Sequence, residues 1–249
     1  MLDTNEYFIL YLDFLGSKNR IVDDEIKSLN QIYDLYSNTI SVIRYLNSVS
    51  HNNGYPIPQY YTKIFSDNII IAMKKMEGEL VIANSLAYLI GFASEIQIRA
   101  LAKYNWLVRG SITYGTLYIS NIYEDRKSVD MIWGKALVRA YQLETENAIY
   151  PRVIIDKDEI ENVVLLSTIP RRHSFKIGED GVYYVNYYLN QMMYGSRDEF
   201  SDIRELEDNL YLLLENESNY KNRQKILWTL SYLRDENQYY RENPNKFKR

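Results

Sequence analysis

Apolar and polar positions change period several times along the chain, and each change marks an element. Tyr7 to Leu12 is apolar and aromatic with no helical repeat, and it ends at Asp13, which predicts a buried strand. Gly16-Ser17 breaks it. From Ile21 to about Val49 apolar residues recur at helical spacing (Ile26, Leu29, Ile32, Tyr36, Ile40, Ile43), which predicts one long amphipathic helix. His51 to Pro58 carries Asn-Asn-Gly and two prolines and reads as a loop. Gln59 to Phe65 and Asn68 to Met73 are β-prone runs separated only by Ser66-Asp67, a hairpin with an acidic tip. Glu79 to Tyr104 predicts a second long helix.

Trp106 to Ile119 is strand-like but interrupted by Gly110 and Gly115. Asn121 to Val129 is charged and reads as an exposed connection. Trp133 to Glu144 predicts a third helix, Arg152 to Ile155 a strand, and Val182 to Leu189 another strand. Phe200 to Glu215 and Tyr220 to Tyr240 are charged amphipathic helices, expected to form a hairpin that caps the core. Strands and helices interleave, so the expected class is α/β or α+β. Residues 1–190 are expected to form the core domain and 191–249 a C-terminal helical extension.

Composition narrows the chemistry. The chain has 249 residues, 46% apolar and 25% charged, with a formal net charge of −4. That is ordinary for a globular protein and gives no basic footprint for nucleic acid. Cysteine is absent, which excludes disulfides, thiol nucleophiles, thiolate zinc sites and iron–sulfur clusters. The only histidines are His51 and His173, so a histidine-rich metal site is excluded and any metal must sit on oxygen donors. The N-terminus lacks the basic start and apolar run of a signal peptide, and Val81 to Ala93 is too short to span a bilayer. A cytoplasmic protein without membrane contact is the expectation. No P-loop, nucleophile-elbow or H-E-x-x-H pattern occurs.

The sharpest candidate is a pair of aspartates at chain reversals. Asp13 ends a hydrophobic strand, and Asp67 tips a hairpin. If the two strands are neighbours, both carboxylates reach one sheet edge and, with a backbone carbonyl, offer hard oxygens to Mg²⁺ or Mn²⁺ on a triphosphate. Phosphate oxygens would approach backbone N–H groups near Leu15, Gly16, Ser17 and Lys18. Turn-forming aspartates are the bland alternative. Arg171-Arg172-His173 is a short basic cluster, read as a solvated loop. Trp133 and Trp228 are read as core anchors on helices.

Four segments, in order, resemble the class III nucleotidyl cyclases. Leu12-Asp13-Phe14-Leu15-Gly16-Ser17 resembles the first metal motif. Lys63-Ile64-Phe65-Ser66-Asp67 resembles the K-x-x-G-D hairpin, with Ser66 for glycine. Arg109 to Gly115 resembles R-V-G-I-H-T-G, and Ile132-Trp133-Gly134 through Glu144 resembles I-W-G-x-x-V-N-x-A-x-R-L-E. More narrowly, the chain resembles the compact bacterial Pycsar-type pyrimidine cyclases of antiphage defence. The resemblance implies an α+β, ferredoxin-like or palm-type core, two divalent ions held by Asp13, Asp67 and the Phe14 carbonyl, and a nucleoside triphosphate substrate. It also implies a homodimer whose sites draw metal residues from one subunit and transition-state residues from the other, and a separate cyclic-nucleotide effector.

Lys63 falls at the family's base-selecting lysine and Met131 at its aspartate partner, with Asp130 one residue away. Methionine cannot pair with an exocyclic amine, whereas Lys63 suits carbonyl acceptors, and Tyr61 would fill the space a smaller base leaves. UTP and CTP are therefore expected over ATP. The family's transition-state asparagine and arginine fall on Val138 and Gln142. Valine cannot donate a hydrogen bond, and glutamine is uncharged. Arg139 and Arg109 are the candidate replacements, although a helix turns about 100° per residue, which directs Arg139 away in this register. A palm-fold polymerase is disfavoured, since Asp67 is followed by Asn68 and not a second acid. A cyclase-like protein that only binds or senses nucleotides is the remaining alternative.

Overall fold

The computed structural model describes residues 5–52, 60–124, 127–169, 174–194 and 202–246. The Arg171-Arg172-His173 cluster and most of the 51–58 loop lie outside them. The first strand, β1 (Asn5–Leu15), is buried along both faces because its side chains alternate between two apolar layers. Phe8, Leu10, Leu12 and Phe14 join the main core, while Tyr7, Ile9 and Tyr11 join a smaller one on the opposite face.

Two helices follow, α1 (Ser17–Asp23) and α2 (Glu25–Asn52), where the apolar spacing suggests one. Asp24 separates them. Its backbone is extended (φ −155°), and its carboxylate accepts from Lys27 N at 2.9 Å, an N-cap geometry that starts a new helix. α2 continues to Asn52, so His51 sits on its last turn and not in a loop.

The hairpin of β2 (Tyr60–Phe65) and β3 (Asn68–Lys74) is antiparallel, with Phe65 opposite Asn68. Helix α3 (Glu79–Tyr104) packs the main core beneath the sheet. It is long and apolar enough to cross a membrane by length and composition, and most of that apolar window is buried inside this protein.

Strand β4 (Leu107–Glu124) runs unbroken through both glycines and beyond the expected end. Gly110 is a close-approach position: a Cβ there would lie 2.1 Å from the Tyr11 carbonyl oxygen. The charged stretch read as a connection is the outer half of β4 paired with β5 (Lys127–Trp133), Ile122 opposite Val129. A row of four charges at the reversal hides this hairpin from a pattern based on apolar alternation. Trp133 ends β5 and is 60% exposed, so it is not a core anchor.

Helix α4 (Lys135–Asn147) covers part of the second face with Ala136, Ala140 and Leu143. Then come β6 (Val153–Ile155), α5 (Lys157–Glu161), β7 (Phe175–Ile177) and β8 (Tyr183–Val185). The run Val182–Leu189 divides after β8, because Asn186 accepts from Leu189 N and caps α6 (Tyr187–Tyr194). The chain ends in a helical hairpin, α7 (Ile203–Asn216) and α8 (Tyr220–Glu242), whose Leu206, Leu210, Ile226 and Leu233 share the main core. The described strands form one mixed sheet in the order β2-β3-β1-β4-β6-β8-β7, with β5 on the outer half of β4. Only the β4–β6 pair is parallel among them. The fold is α+β, a mixed sheet flanked by helices with a C-terminal helical hairpin.

Candidate active site

Register brings the two aspartates to one end of the sheet. Asp13 lies opposite Asn68 on β3 and opposite Arg109 on β4. Asp67 occupies the β2–β3 turn, and its carbonyl accepts from Phe14 N at 3.3 Å, which ties the turn to the end of β1. Ser66 adopts φ 56°, a left-handed conformation that glycine takes without strain, and this is the physical sense of glycine in the resembling hairpin.

The segment after Asp13 closes on the same point. Gly16 is left-handed (φ 77°) and turns the chain into α1. Ser17, buried at the start of that helix, donates its hydroxyl to Asp67 Oδ2. Arg20 anchors α1 by donating to the Tyr104 and Asn105 carbonyls at 2.8 and 2.6 Å, and its guanidinium lies 4.7 Å from the Trp106 ring centroid. Phe14 packs edge-on against Trp106 at 5.3 Å. Leu15 is half-buried beside them.

Asp13 does not stand alone. Arg109 Nε donates to its Oδ2 at 3.1 Å and also contacts Glu144 Oε1. Glu144, 2% exposed, is a site member the sequence reading passed over, although its motif was quoted. Burial pushes its carboxyl up to about 7, against the pull of Arg109 and helped by the charge of Asp13. Tyr11 completes the cluster by donating to Asn68 Oδ1 at 2.6 Å. Its phenol is driven well above the usual range by burial and by the charges of Glu144, Asp13 and Asp67.

Asp13 and Asp67 present oxygen donors only, at a partly solvated edge. In kind they fit a hard divalent ion, with water, phosphate and backbone oxygens filling the remaining positions. Among the described residues no group of three or more His, Asp or Glu side chains gathers as a complete cage.

Beside this edge is an open cleft of about 590 Å³ between β2–β3 and the β5–α4 corner, lined by Lys63, Phe65, Asn68, Met131, Val138 and Tyr141 among others. Lys63 and Met131 thus share one cleft. Tyr61 lines a different part of that face, packed edge-on against Tyr7 at 6.1 Å, and is not among the cleft residues. Asp130 lies on β5 opposite Asn121.

A second cleft, about 820 Å³, adjoins it along α4 and includes Met131, Trp133, Val138, Arg139 and Gln142. Arg139 reaches this wall, but its guanidinium is held by Asp156, donating at 2.9 and 3.0 Å. Asp156 is buried and also accepts from Thr113 Oγ1 at 2.7 Å, so Arg139 serves a fixed ion pair joining α4 to the end of β6.

No protein-family model matches the chain, and no curated protein does. Solved structures similar to it include the adenylyl cyclase CyaB from P. aeruginosa (TM-score 0.48, 14% identity, covering 74% of this chain and 95% of that one). Another is the guanylate cyclase domain of RhGC from Catenaria anguillulae in complex with GTP (TM-score 0.44, 11% identity, 74% and 97%). A third is a class III adenylyl cyclase-like ATP-binding protein from Pseudomonas aeruginosa (TM-score 0.43, 13% identity, 83% and 40%).

Proposed function

We propose that the chain is a nucleotide cyclase that converts a nucleoside triphosphate to its 3′,5′-cyclic monophosphate and pyrophosphate. The observation that carries this reading is the meeting of Asp13 and Asp67 at one sheet end, bound together through Phe14 N, beside a cleft that holds Lys63 and Met131. In the reaction the ribose 3′-oxygen bonds to the α-phosphorus and the bond from that phosphorus to the bridging β-oxygen breaks. Pyrophosphate leaves with the electron pair, and the hydroxyl proton passes to solvent.

Asp13, Asp67 and the Phe14 carbonyl would hold two Mg²⁺ or Mn²⁺ ions. When bound, the ions supply Lewis acidity to the triphosphate and lower the pKa of the 3′-hydroxyl. Arg109 keeps Asp13 oriented and balances part of the negative charge that would otherwise repel substrate. The turn from Leu15 to Ser17 offers backbone N–H groups to phosphate. Lys63 donates to carbonyl oxygens of the base, and Met131 gives the base an apolar neighbour with no hydrogen-bonding capacity to satisfy an adenine amine. UTP, then CTP, are the proposed substrates. A role as a second-messenger source in antiphage defence, with a separate effector, belongs to the same proposal through the resemblance alone.

A homodimer is part of it. Phe65, Trp133, Val138 and Tyr141 stay 72, 60, 55 and 53% exposed around the two clefts, an aromatic surface that suits a second copy. A specific observation favours a second reading: Val138 and Gln142 replace the expected transition-state groups, and Arg139 is committed to Asp156. That arrangement suits a protein that binds a nucleotide without turning it over.

Competition among ATP, GTP, CTP and UTP with Mn²⁺, run on the peak whose mass by light scattering is a dimer, separates these. A dominant cyclic UMP product supports the proposal. Dominant cyclic AMP rejects the pyrimidine assignment, and activity confined to a monomer peak rejects the dimer.

A further inference from the structure

Asp67 is fixed at its backbone and at both carboxylate oxygens. Its carbonyl accepts from Phe14 N at 3.3 Å. Its Oδ2 accepts from the Ser17 hydroxyl, and its Oδ1 accepts from Asn68 Nδ2 at 3.2 Å. These contacts come from three places in the chain: the end of β1, the first residue of α1 and the first residue of β3. An ionised carboxylate offers about four lone-pair sites, so two donors still leave room for a cation.

The Asn68 amide has one arrangement that satisfies its neighbours. As a carboxylate Asp67 can only accept, so Nδ2 faces it. The Asn68 Oδ1 then faces Tyr11, whose hydroxyl donates to it at 2.6 Å. Tyr11 is itself held, buried on β1 with its ring edge-on to Tyr141 of α4 at 6.1 Å. The donors therefore run one way, from Tyr11 through Asn68 to Asp67. Tyr11 and Asn68 both line the cleft that holds Lys63 and Met131, so this row joins the cleft to the carboxylate. Buried Ser17 holds the other oxygen. An amide at position 68 supplies a donor where a second acid would repel Asp67.

We propose that Ser17 and Asn68 are positioning residues that fix the Asp67 carboxylate in advance for a divalent ion, and that Tyr11 sets the Asn68 amide from within the cleft. The proposal rests on the reading of Asp67 as a ligand of Mg²⁺ or Mn²⁺ and needs no cyclisation step. A side chain already held loses its rotamer freedom at folding and not when the ion docks. Hydrogen bonds that orient a metal ligand typically carry about ten- to a hundredfold of metal affinity.

The test is Mn²⁺ binding to the full chain, read from the electron paramagnetic resonance signal of free Mn²⁺. Wild type is compared with Asp67→Asn, Ser17→Ala, Asn68→Ala and Tyr11→Phe, with urea midpoints on the same proteins. Wild type should bind Mn²⁺ at a site that Asp67→Asn removes. Ser17→Ala and Asn68→Ala should each weaken that site by about ten- to a hundredfold at an unchanged urea midpoint, with Tyr11→Phe between them and wild type. Their turnover of nucleoside triphosphate should fall at limiting Mn²⁺ and recover at high Mn²⁺ with KM unchanged, a rescue that structural damage would not give. Affinity within about twofold of wild type in both Ser17→Ala and Asn68→Ala overturns the proposal. So does Mn²⁺ binding that Asp67→Asn leaves intact, no Mn²⁺ binding by the wild type, or a loss that only follows a lowered urea midpoint. Cyclic product from the wild type with unchanged Mn²⁺ affinity in both variants retires the positioning role and leaves the cyclase reading standing. Mn²⁺ binding that depends on Asp67, Ser17 and Asn68, with no cyclic product, does the reverse.

Discussion

Asp13→Asn and Asp67→Asn should each lower turnover by about a thousandfold or more, because each would remove one of the two carboxylates of the proposed metal site. Each keeps stability within about 1 kcal/mol of wild type, since both aspartates sit at partly solvated strand ends where ion pairs contribute little. At Asp13 the asparagine still accepts from Arg109 Nε, and Arg109 keeps its contact with Glu144. At Asp67 it still accepts from the Ser17 hydroxyl. Steady-state rates at saturating substrate, together with urea midpoints, check both halves. Near-wild-type turnover in both variants would remove these residues from the chemistry. A large stability loss with proportionate activity loss would make them structural.

Trp106→Ala should cost about 3–5 kcal/mol, the range for deleting a large buried aromatic side chain. That is a large share of the roughly 5–15 kcal/mol that keeps a domain folded. Trp106 is fully buried and joins four elements. Its backbone N–H donates to Ala100 O while Asn105, left-handed at φ 54°, donates to Leu101 O, closing the C-terminus of α3. Its ring nitrogen donates to Gln31 of α2 at 2.7 Å, and its faces meet Arg20 of α1 and Phe14 of β1. The cavity would lie under Phe14, next to Asp13. Urea unfolding measures the cost, and a loss below about 1 kcal/mol would contradict this account of how the active edge is braced.

Much of the scaffold was legible because its signals are local. The hairpin tip at Ser66-Asp67 and helix α3 over Glu79–Tyr104 follow from apolar runs bounded by turn residues. Asp13 and Asp67 were legible as a pair because one follows an apolar strand run and the other sits in a two-residue turn, although β1 continues past Asp13 to Leu15. The outer β4–β5 arm was not, since its strands lack alternation and its reversal is a row of charges. Trp133 read as a core residue because composition cannot tell a buried aromatic from one left open at a cleft.

The electrostatic half of the site was the least visible. Arg109 and Glu144 come from a strand start and a helix end, and only the pairing Asp13↔Arg109 and the Arg109–Glu144 ion pair gather them. Arg139 carried the right charge on the right helix, yet the buried Asp156 claims it. No local pattern announces that partner.

The central claim is that the Asp13–Asp67 edge cyclises a nucleoside triphosphate. Phosphorus NMR of the wild-type protein with UTP and Mg²⁺ tests it most directly. The account predicts a 3′,5′-cyclic phosphodiester and pyrophosphate appearing in equal amounts, with neither in Asp13→Asn. UTP that binds but stays intact, or that yields orthophosphate and UDP, would contradict it.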